Sequence, residues 1–145
     1  MSGSTQEGFV SALMVGDYEE DRLLLHDIFR RLGWRLFEAR DRRRGLEYLE
    51  RHPVQVVLAE SHTPRWTWKR VLGDLRRLAH PPQLIVTSRV ADDSLWAEVL
   101  NVGGYDVLAR PLETDEVERV VAAARRRYDG PERERTLVST VAGAA

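Results

Sequence analysis

Short apolar runs alternate with longer amphipathic segments along the chain. Five runs have the length and apolar character of buried strands: VSALMVG (10–16), WRLFEA (34–39), VQVVLAE (54–60), QLIVTS (83–88) and YDVLA (105–109). After each run, apolar residues recur every three or four positions, as they do on one face of a helix. The first of these segments carries Leu25, Ile28, Phe29 and Leu32. The pattern predicts five strands, each followed by a helix.

The residues that flank the amphipathic segments are typical of helix ends. Acidic residues 19–21 open the first segment, where the helix dipole favours negative charge, and Gly33 is a predicted stop. Asp41 is placed to cap the second helix, and Asp92 or Asp93 to cap the fourth. These signals support the same alternation of strands and helices.

Strands that alternate with helices predict a parallel sheet, because parallel neighbours need a crossover connection. Right-handed crossovers cover both faces of such a sheet with helices. We therefore predict an α/β fold, a doubly wound five-stranded parallel sheet in the flavodoxin-like order 2-1-3-4-5.

The composition fits one globular domain and excludes several classes of function. The chain has 145 residues, 43% hydrophobic and 31% charged, enough for a core of its own. Its 22 basic and 23 acidic side chains nearly cancel, so no global field attracts nucleic acid or an anionic membrane. The absence of cysteine excludes disulfides and thiolate chemistry. No apolar stretch approaches the roughly 20 residues of a membrane span and no secretory signal is evident, so we expect a cytoplasmic protein.

The two ends of the chain differ in composition from the region between them. Residues 1–8 are small and polar, which predicts a disordered leader before a domain at 9–128. Residues 129–145 start with Asp-Gly-Pro and become charged, then rich in alanine and glycine. We interpret them as a tail or linker stub, in which TLVSTV (136–141) is a candidate for a weak extra strand.

Residues suited to chemistry follow the predicted strands at one edge of the sheet. Open α/β sheets bind their ligands at the carboxyl ends of their strands. The residues at the ends of strands 1, 3, 4 and 5 are Gly16 and Asp17, Glu60, Thr87 and Ser88, and Arg110 with Pro111. We expect these side chains to lie close together.

This ordered set resembles the receiver domain of two-component response regulators, the group that includes the chemotaxis regulators. The resemblance covers roughly residues 10–128. It rests on LMVGDYEEDR at strand 1, Glu60 four residues before Pro64, IVTS at strand 4 and GGYDVLARP at strand 5. Each piece alone is unspecific, whereas the four in this order and spacing form a strong signal.

The resemblance implies a role for each position. In that family a carboxylate pair after strand 1 binds Mg²⁺, and an aspartate ending strand 3 takes a phosphoryl group from a histidine kinase. A strand-4 hydroxyl and a strand-5 lysine bind the phosphoryl oxygens, and a strand-5 aromatic residue moves inward as the readout. Asp17 matches the metal-binding acid and Thr87 the hydroxyl. The partner acid, the phosphoacceptor, the lysine and the aromatic residue are replaced by Gly16, Glu60, Arg110 and Val107.

These departures weaken the implied chemistry. Glu60 is the only carboxylate between Arg51 and Lys69, and its extra methylene displaces the attacking oxygen by about 1 Å, which can lower a rate on the order of 10²-fold. With Gly16 in place of an acid, we expect no cofactor beyond weak Mg²⁺ binding. Arg110 is suited to a bidentate pair with Glu60. Glu60 then imitates or replaces the phosphorylated state; the alternative is an ordinary ion pair.

Aromatic residues near this edge allow further interpretations. Tyr105 lies two residues before Val107, so it is expected on the same strand face and is a candidate replacement for the moving aromatic residue. Trp66 and Trp68 either pack on the third helix or form a partner-binding patch. Trp96, on the fourth helix, is either half-buried packing or part of a partner surface.

We therefore predict a receiver-like module, not an enzyme, that acts by protein–protein contacts with its phosphoryl-acceptor chemistry weakened or lost. Its expected partners are a sensor kinase or a downstream signalling protein, with a homodimer as a further option. One alternative is an atypical but working Mg²⁺-dependent phosphoacceptor in a phosphorelay. Another is a flavodoxin-like small-molecule binder, which would need an open pocket at the same edge.

Overall fold

The computed structural model describes the backbone of residues 9–144 and the side chains up to residue 130. Five strands and five helices alternate along it. The strands are β1 (Ser11–Val15), β2 (Arg35–Ala39), β3 (Val56–Glu60), β4 (Gln83–Ser88) and β5 (Asp106–Ala109). The helices are α1 (Arg22–Leu32), α2 (Arg42–Arg51), α3 (Trp68–Leu75), α4 (Asp93–Asn101) and α5 (Thr114–Ala144).

All neighbouring strands are parallel, in the order β2-β1-β3-β4-β5. The register places Val15 beside Ala59, and Glu60 beside Thr87. The carboxyl ends of the central strands therefore meet at one edge. The predicted fold class and strand order are confirmed.

The sheet separates two apolar cores. Met14 of β1 belongs to the core beneath α1 and α5 on one face, whereas Leu13 belongs to the core beneath α2, α3 and α4 on the other. Residues Val56 to Ala59 of β3 are all fully buried, as expected for a central parallel strand covered on both faces. This strand carries Glu60 at its end, so the site is built on the most enclosed part of the sheet.

Several helix ends follow the sequence signals. Gly33 ends α1 with a φ of 72°, the left-handed conformation that glycine tolerates. Asp41 and Asp92 each accept a hydrogen bond at 2.9 Å from a backbone N–H of the helix that follows, α2 and α4. Of the two candidate caps of α4, Asp92 is therefore the one used.

The carboxyl-terminal region differs from the sequence prediction. Helix α5 continues to Ala144, so the backbone of residues 136–141 is helical and the suggested extra strand is wrong. A strand there would need a neighbouring strand for its hydrogen bonds, whereas Glu- and Arg-rich residues 132–135 favour continuation of the helix. The helix passes through Gly130 and Pro131, whose local preferences predicted an end.

The predicted leader, residues 1–8, lies outside the described residues. Within the described part, no helix is both long and apolar enough to span a membrane.

Truncation of Leu58 should test the β3 core. Leu58 is 0% exposed, so L58A should lower the free energy of unfolding by about 2–5 kcal/mol through lost burial and a residual cavity. Leu23, on α1, is 84% exposed, and L23A should change it by less than about 0.5 kcal/mol. Urea denaturation measures both, and equal losses in the two variants would contradict this assignment of the core.

Candidate functional site

The structure brings the predicted site residues to one edge of the sheet. Glu60 ends β3, Thr87 lies beside it in β4, and Arg110 follows β5. Gly16 and Asp17 follow β1. The ends of four strands thus meet at this edge, and the segments after β1 and β5 contact the Glu60 carboxylate.

Both carboxylate oxygens of Glu60 are engaged by the chain itself. Oε1 accepts a hydrogen bond from the backbone N–H of Asp17 at 2.6 Å. Oε2 accepts one from Nη1 of Arg110 at 3.2 Å. Burial raises the pKa of the Glu60 carboxyl above its ordinary value, although the Asp17 N–H and Arg110 act in the opposite direction.

Arg110 divides its guanidinium group between two acids. Its Nε donates to Oδ2 of Asp21 at 2.7 Å, and both of these side chains are 8% exposed. Burial alone would lower the pKa of Arg110, but the hydrogen bond and charge of Asp21 outweigh it and the pKa rises. The bidentate pair with Glu60 expected from the sequence is therefore wrong, because Asp21 takes one edge of the fork. In the sequence, nothing distinguished Asp21 from the other two acids at 19–21.

Tyr18 contacts two of the site residues, Thr87 and Arg110. Its hydroxyl lies 2.8 Å from Oγ1 of Thr87, and the guanidinium carbon of Arg110 lies 5.3 Å from its ring centroid. Tyr18 is 4% exposed and Thr87 is 1% exposed. Burial raises the pKa of the Tyr18 phenol, so the ring stays neutral. Tyr18 is not among the site residues predicted from the sequence, where its only signal is an aromatic residue within an acidic loop.

Gly16 is the position where the backbone approaches Glu60 most closely. Its φ is 125°, in the region that favours glycine. A Cβ atom there would lie 2.5 Å from Oε1 of Glu60 and 3.4 Å from Cη2 of Trp66. A side chain at position 16 would therefore compete with the Glu60 carboxylate for the same space and displace it from its present position.

The arranged side chains do not fit an Mg²⁺ site. Mg²⁺ prefers carboxylate oxygens and water in octahedral geometry. Gly16 supplies no carboxylate, Glu60 faces the cation of Arg110, and Asp17 uses Oδ1 to accept from the Glu19 N–H at 3.1 Å. Among the residues that the structure describes, no group of three His, Asp or Glu side chains is suited to a metal.

Tyr105 does not share a face with Val107. Tyr105 packs against the core beneath α1 and α5, whereas Val107 packs against the core beneath α3 and α4. The alternation of side chains holds only within a strand, and Tyr105 precedes the first residue of β5. The expectation that Tyr105 occupies the place of the moving aromatic residue is therefore corrected.

The tryptophans near the edge differ in exposure. Trp66 and Trp68 are 8% and 2% exposed and pack in the core beneath α3. Neither ring is open to a partner, which corrects the patch interpretation in favour of packing. Trp96 on α4 is 50% exposed, and its Nε1 donates to Oδ1 of Asp106 at 3.1 Å.

A cleft of about 470 Å³ opens beside Glu60. It lies between β3, β4 and the start of α4, and polar side chains that include Ser61, His62, Ser88 and Arg110 line it. The Glu60–Arg110 contact therefore closes only part of this edge.

Comparisons with known proteins found curated relatives and solved structures of similar fold. No protein-family model matches it. Over 109 residues the chain is 28% identical to the transcriptional regulatory protein KdpE of Mycobacterium tuberculosis, a match that covers 74% of this chain and 48% of KdpE. The chain thus spans about half the length of the curated relatives that it matches.

Solved structures of similar fold include receiver domains. The receiver domain of Francisella response regulator 1452 has a TM-score of 0.71 at 20% identity, over 81% of this chain and 98% of that one. A chain in the CheX–CheY complex with BeF₃ and Mg²⁺ from Borrelia burgdorferi has a TM-score of 0.69 at 20% identity, over 79% of this chain and 87% of that one. The chain has the receiver-domain fold, and the resemblance to response-regulator receiver domains is confirmed.

The competition between Gly16 and Glu60 is testable in a double-mutant cycle. G16A should lower the free energy of unfolding by about 1–3 kcal/mol through backbone strain, and further through the contact with Oε1. In an E60D background the loss from G16A should be smaller, because the shorter acid withdraws. G33A is the control, since a Cβ there meets nothing within 4 Å and should cost the same in both backgrounds. Equal costs of G16A in the two backgrounds would refute the competition.

The raised pKa of Glu60 predicts a pH dependence of stability. The folded protein binds more protons than the unfolded chain between the ordinary pKa of 4.5 and the higher folded-state value. The free energy of unfolding of the wild type should therefore fall, relative to that of E60Q, as the pH rises through this window. Thermal unfolding at a series of pH values measures the difference, with E113Q as a control for the loss of one negative charge. A relative rise over the same window would contradict the assignment.

Proposed function

We propose that this chain is a receiver-like signalling module that acts through protein–protein contacts, with its phosphoryl-acceptor chemistry weakened or lost. The observation that carries the proposal is the state of Glu60. Glu60 ends β3, where the resemblance implies the phosphoacceptor, and both of its oxygens are already bound, by the Asp17 N–H and by Arg110.

Phosphoryl transfer depends on positioning and on neutralisation of charge. An attacking carboxylate oxygen must be accessible to the molecule that donates the phosphoryl group. The Glu60 side chain is only 16% exposed, and both of its oxygens accept hydrogen bonds from the chain itself. The metal that would draw the donor in has a poor set of ligands once Gly16 replaces an acid. The positive charge at this site is the guanidinium group of Arg110, which also pairs with Asp21.

The partners in this proposal are proteins. The KdpE relative is a transcriptional regulatory protein, and the similar Borrelia chain belongs to a complex of CheX with CheY. We propose that a sensor kinase or a downstream signalling protein recognises this chain in the same general way. The half-exposed Trp96 on α4 is available for such a contact, and a homodimer is the alternative use of the same surface.

One competing function has structural support. The cleft of about 470 Å³ beside Glu60 is open enough for a small molecule. Its lining is rich in hydroxyl and charged groups and has few apolar anchors, chiefly Val90 and Leu95, which disfavours a flavin-like ligand. The signalling module remains the better-supported function.

A titration of isotope-labelled protein with Mg²⁺, and then with beryllofluoride, tests the proposal. The amide signals of residues 60, 87 and 110 should show no saturable change, because Glu60 is already satisfied. Trp66 lies against Gly16, so its fluorescence is a second probe of the same edge. The matched variant is G16D/E60D/R110K, which returns the three departures to the family's residues. A saturable, Mg²⁺-dependent response of the wild type would establish the working phosphoacceptor instead.

A further inference from the structure

The turn between β1 and α1 sends two side chains into the site. The Asp21 N–H donates to the carbonyl oxygen of Tyr18 at 3.0 Å, which closes the turn just before α1. Tyr18 reaches Thr87 in β4, and Asp21 reaches Arg110 after β5. One short segment thus contacts the two side chains that would bind a phosphoryl group in the family that the chain resembles.

Asp21 gives up another interaction to make its contact. It stands at the position that caps α1, where an aspartate carboxylate normally accepts a backbone N–H of the first helical turn. Here it makes no such cap hydrogen bond. Asp41 and Asp92, at the same position of α2 and α4, both do. The carboxylate of Asp21 is directed to Arg110 instead.

The contact with Asp21 is also the closer of the two that Arg110 makes. Nε lies 2.7 Å from Asp21, whereas Nη1 lies 3.2 Å from Glu60. Asp21 is 8% exposed and Glu60 is 16% exposed, so the first pair is better shielded from water. The Arg110 guanidinium should therefore keep its contact with Asp21, which is the shorter and the less exposed of the two.

We infer that Tyr18 and Asp21 form an internal latch, a pair of positioning residues that hold Thr87 and Arg110 in place independently of Glu60. This inference rests on the proposed function and extends it. The groups that would receive a phosphoryl oxygen are held by the chain, so an altered residue 60 alone does not release them. The latch fixes the edge of the sheet in a single arrangement for a partner to recognise.

The Nε–H of Arg110 reports the Asp21 contact directly by hydrogen-exchange NMR. In D21N this proton should exchange about tenfold faster or more, because a charge-assisted hydrogen bond is lost. In E60Q its exchange should stay within about twofold of the wild-type rate, because Glu60 contacts Nη1 of Arg110 and not Nε. D74N is the matched control: Asp74 binds Nε of Arg42 at 2.9 Å, so D74N should affect Arg42 and leave Arg110 unchanged. Unchanged Arg110 exchange in D21N, or equal acceleration in E60Q and D21N, would overturn the latch.

The Tyr18 half of the latch has its own spectroscopic test. The ring-carbon signal next to the Tyr18 hydroxyl should shift in T87V and should keep its wild-type position in T87S, which retains the hydroxyl group. Equal shifts in the two variants would count against the contact. These readouts do not depend on Mg²⁺ or beryllofluoride. A wild-type response to beryllofluoride would therefore refute the proposed function alone. Exchange of the Arg110 Nε–H that is accelerated as much in E60Q as in D21N would refute the latch alone.

Discussion

A buried cation shared by two carboxylates is the interaction on which this edge of the sheet depends. Arg110 is 8% exposed and stays charged at any physiological pH, so it needs anionic partners that remain in place. Asp21 and Glu60 supply them from the start of α1 and the end of β3. Burial raises the pKa of Glu60, and Arg110 opposes that rise. Removal of Arg110 would leave two carboxylates without their shared cation, whereas removal of either acid would leave Arg110 with the other one.

The need to bring Glu60 to Arg110 also explains the glycine across from it. A glutamate at the end of β3 extends its carboxylate into the space beside residue 16, where a Cβ would come within 2.5 Å of Oε1. Glycine accommodates both that approach and a φ of 125°, a backbone conformation that other residues rarely adopt. Glu60, Gly16 and Arg110 differ from the family pattern at three places in the sequence, but they follow from one steric and electrostatic arrangement. A side chain at position 16 would carry backbone strain, and loss of Arg110 would leave Asp21 and Glu60 without their cation.

The sequence predicted the features that follow from periodicity and failed where three-dimensional packing decides. Buried runs and helical spacing determine a parallel sheet, and the ends of its strands then bring Glu60, Thr87 and Arg110 together. No local rule says which of three consecutive acids turns inward, so the sequence indicates for Asp21 only a position at the start of a helix. The alternation of a strand cannot be extended to Tyr105, which lies outside β5. Trp66 and Trp68 sit in a loop and at a helix start, and their burial depends on contacts with the sheet that spacing alone does not encode.

The contacts of Thr87 distinguish imitation of a phosphorylated aspartate from its replacement. In the family that the chain resembles, a bound phosphoryl group contacts both the strand-4 hydroxyl and the strand-5 cation. Glu60 reproduces the second contact, through Arg110, but the Thr87 hydroxyl is bonded to Tyr18. A single carboxylate also carries less charge than a phosphoryl group and has fewer acceptor oxygens. Under the proposed function, Glu60 therefore takes the place of the ligand at Arg110 only, and Tyr18 takes its place at Thr87. In that proposal the arrangement is a filled site rather than a copy of the activated one.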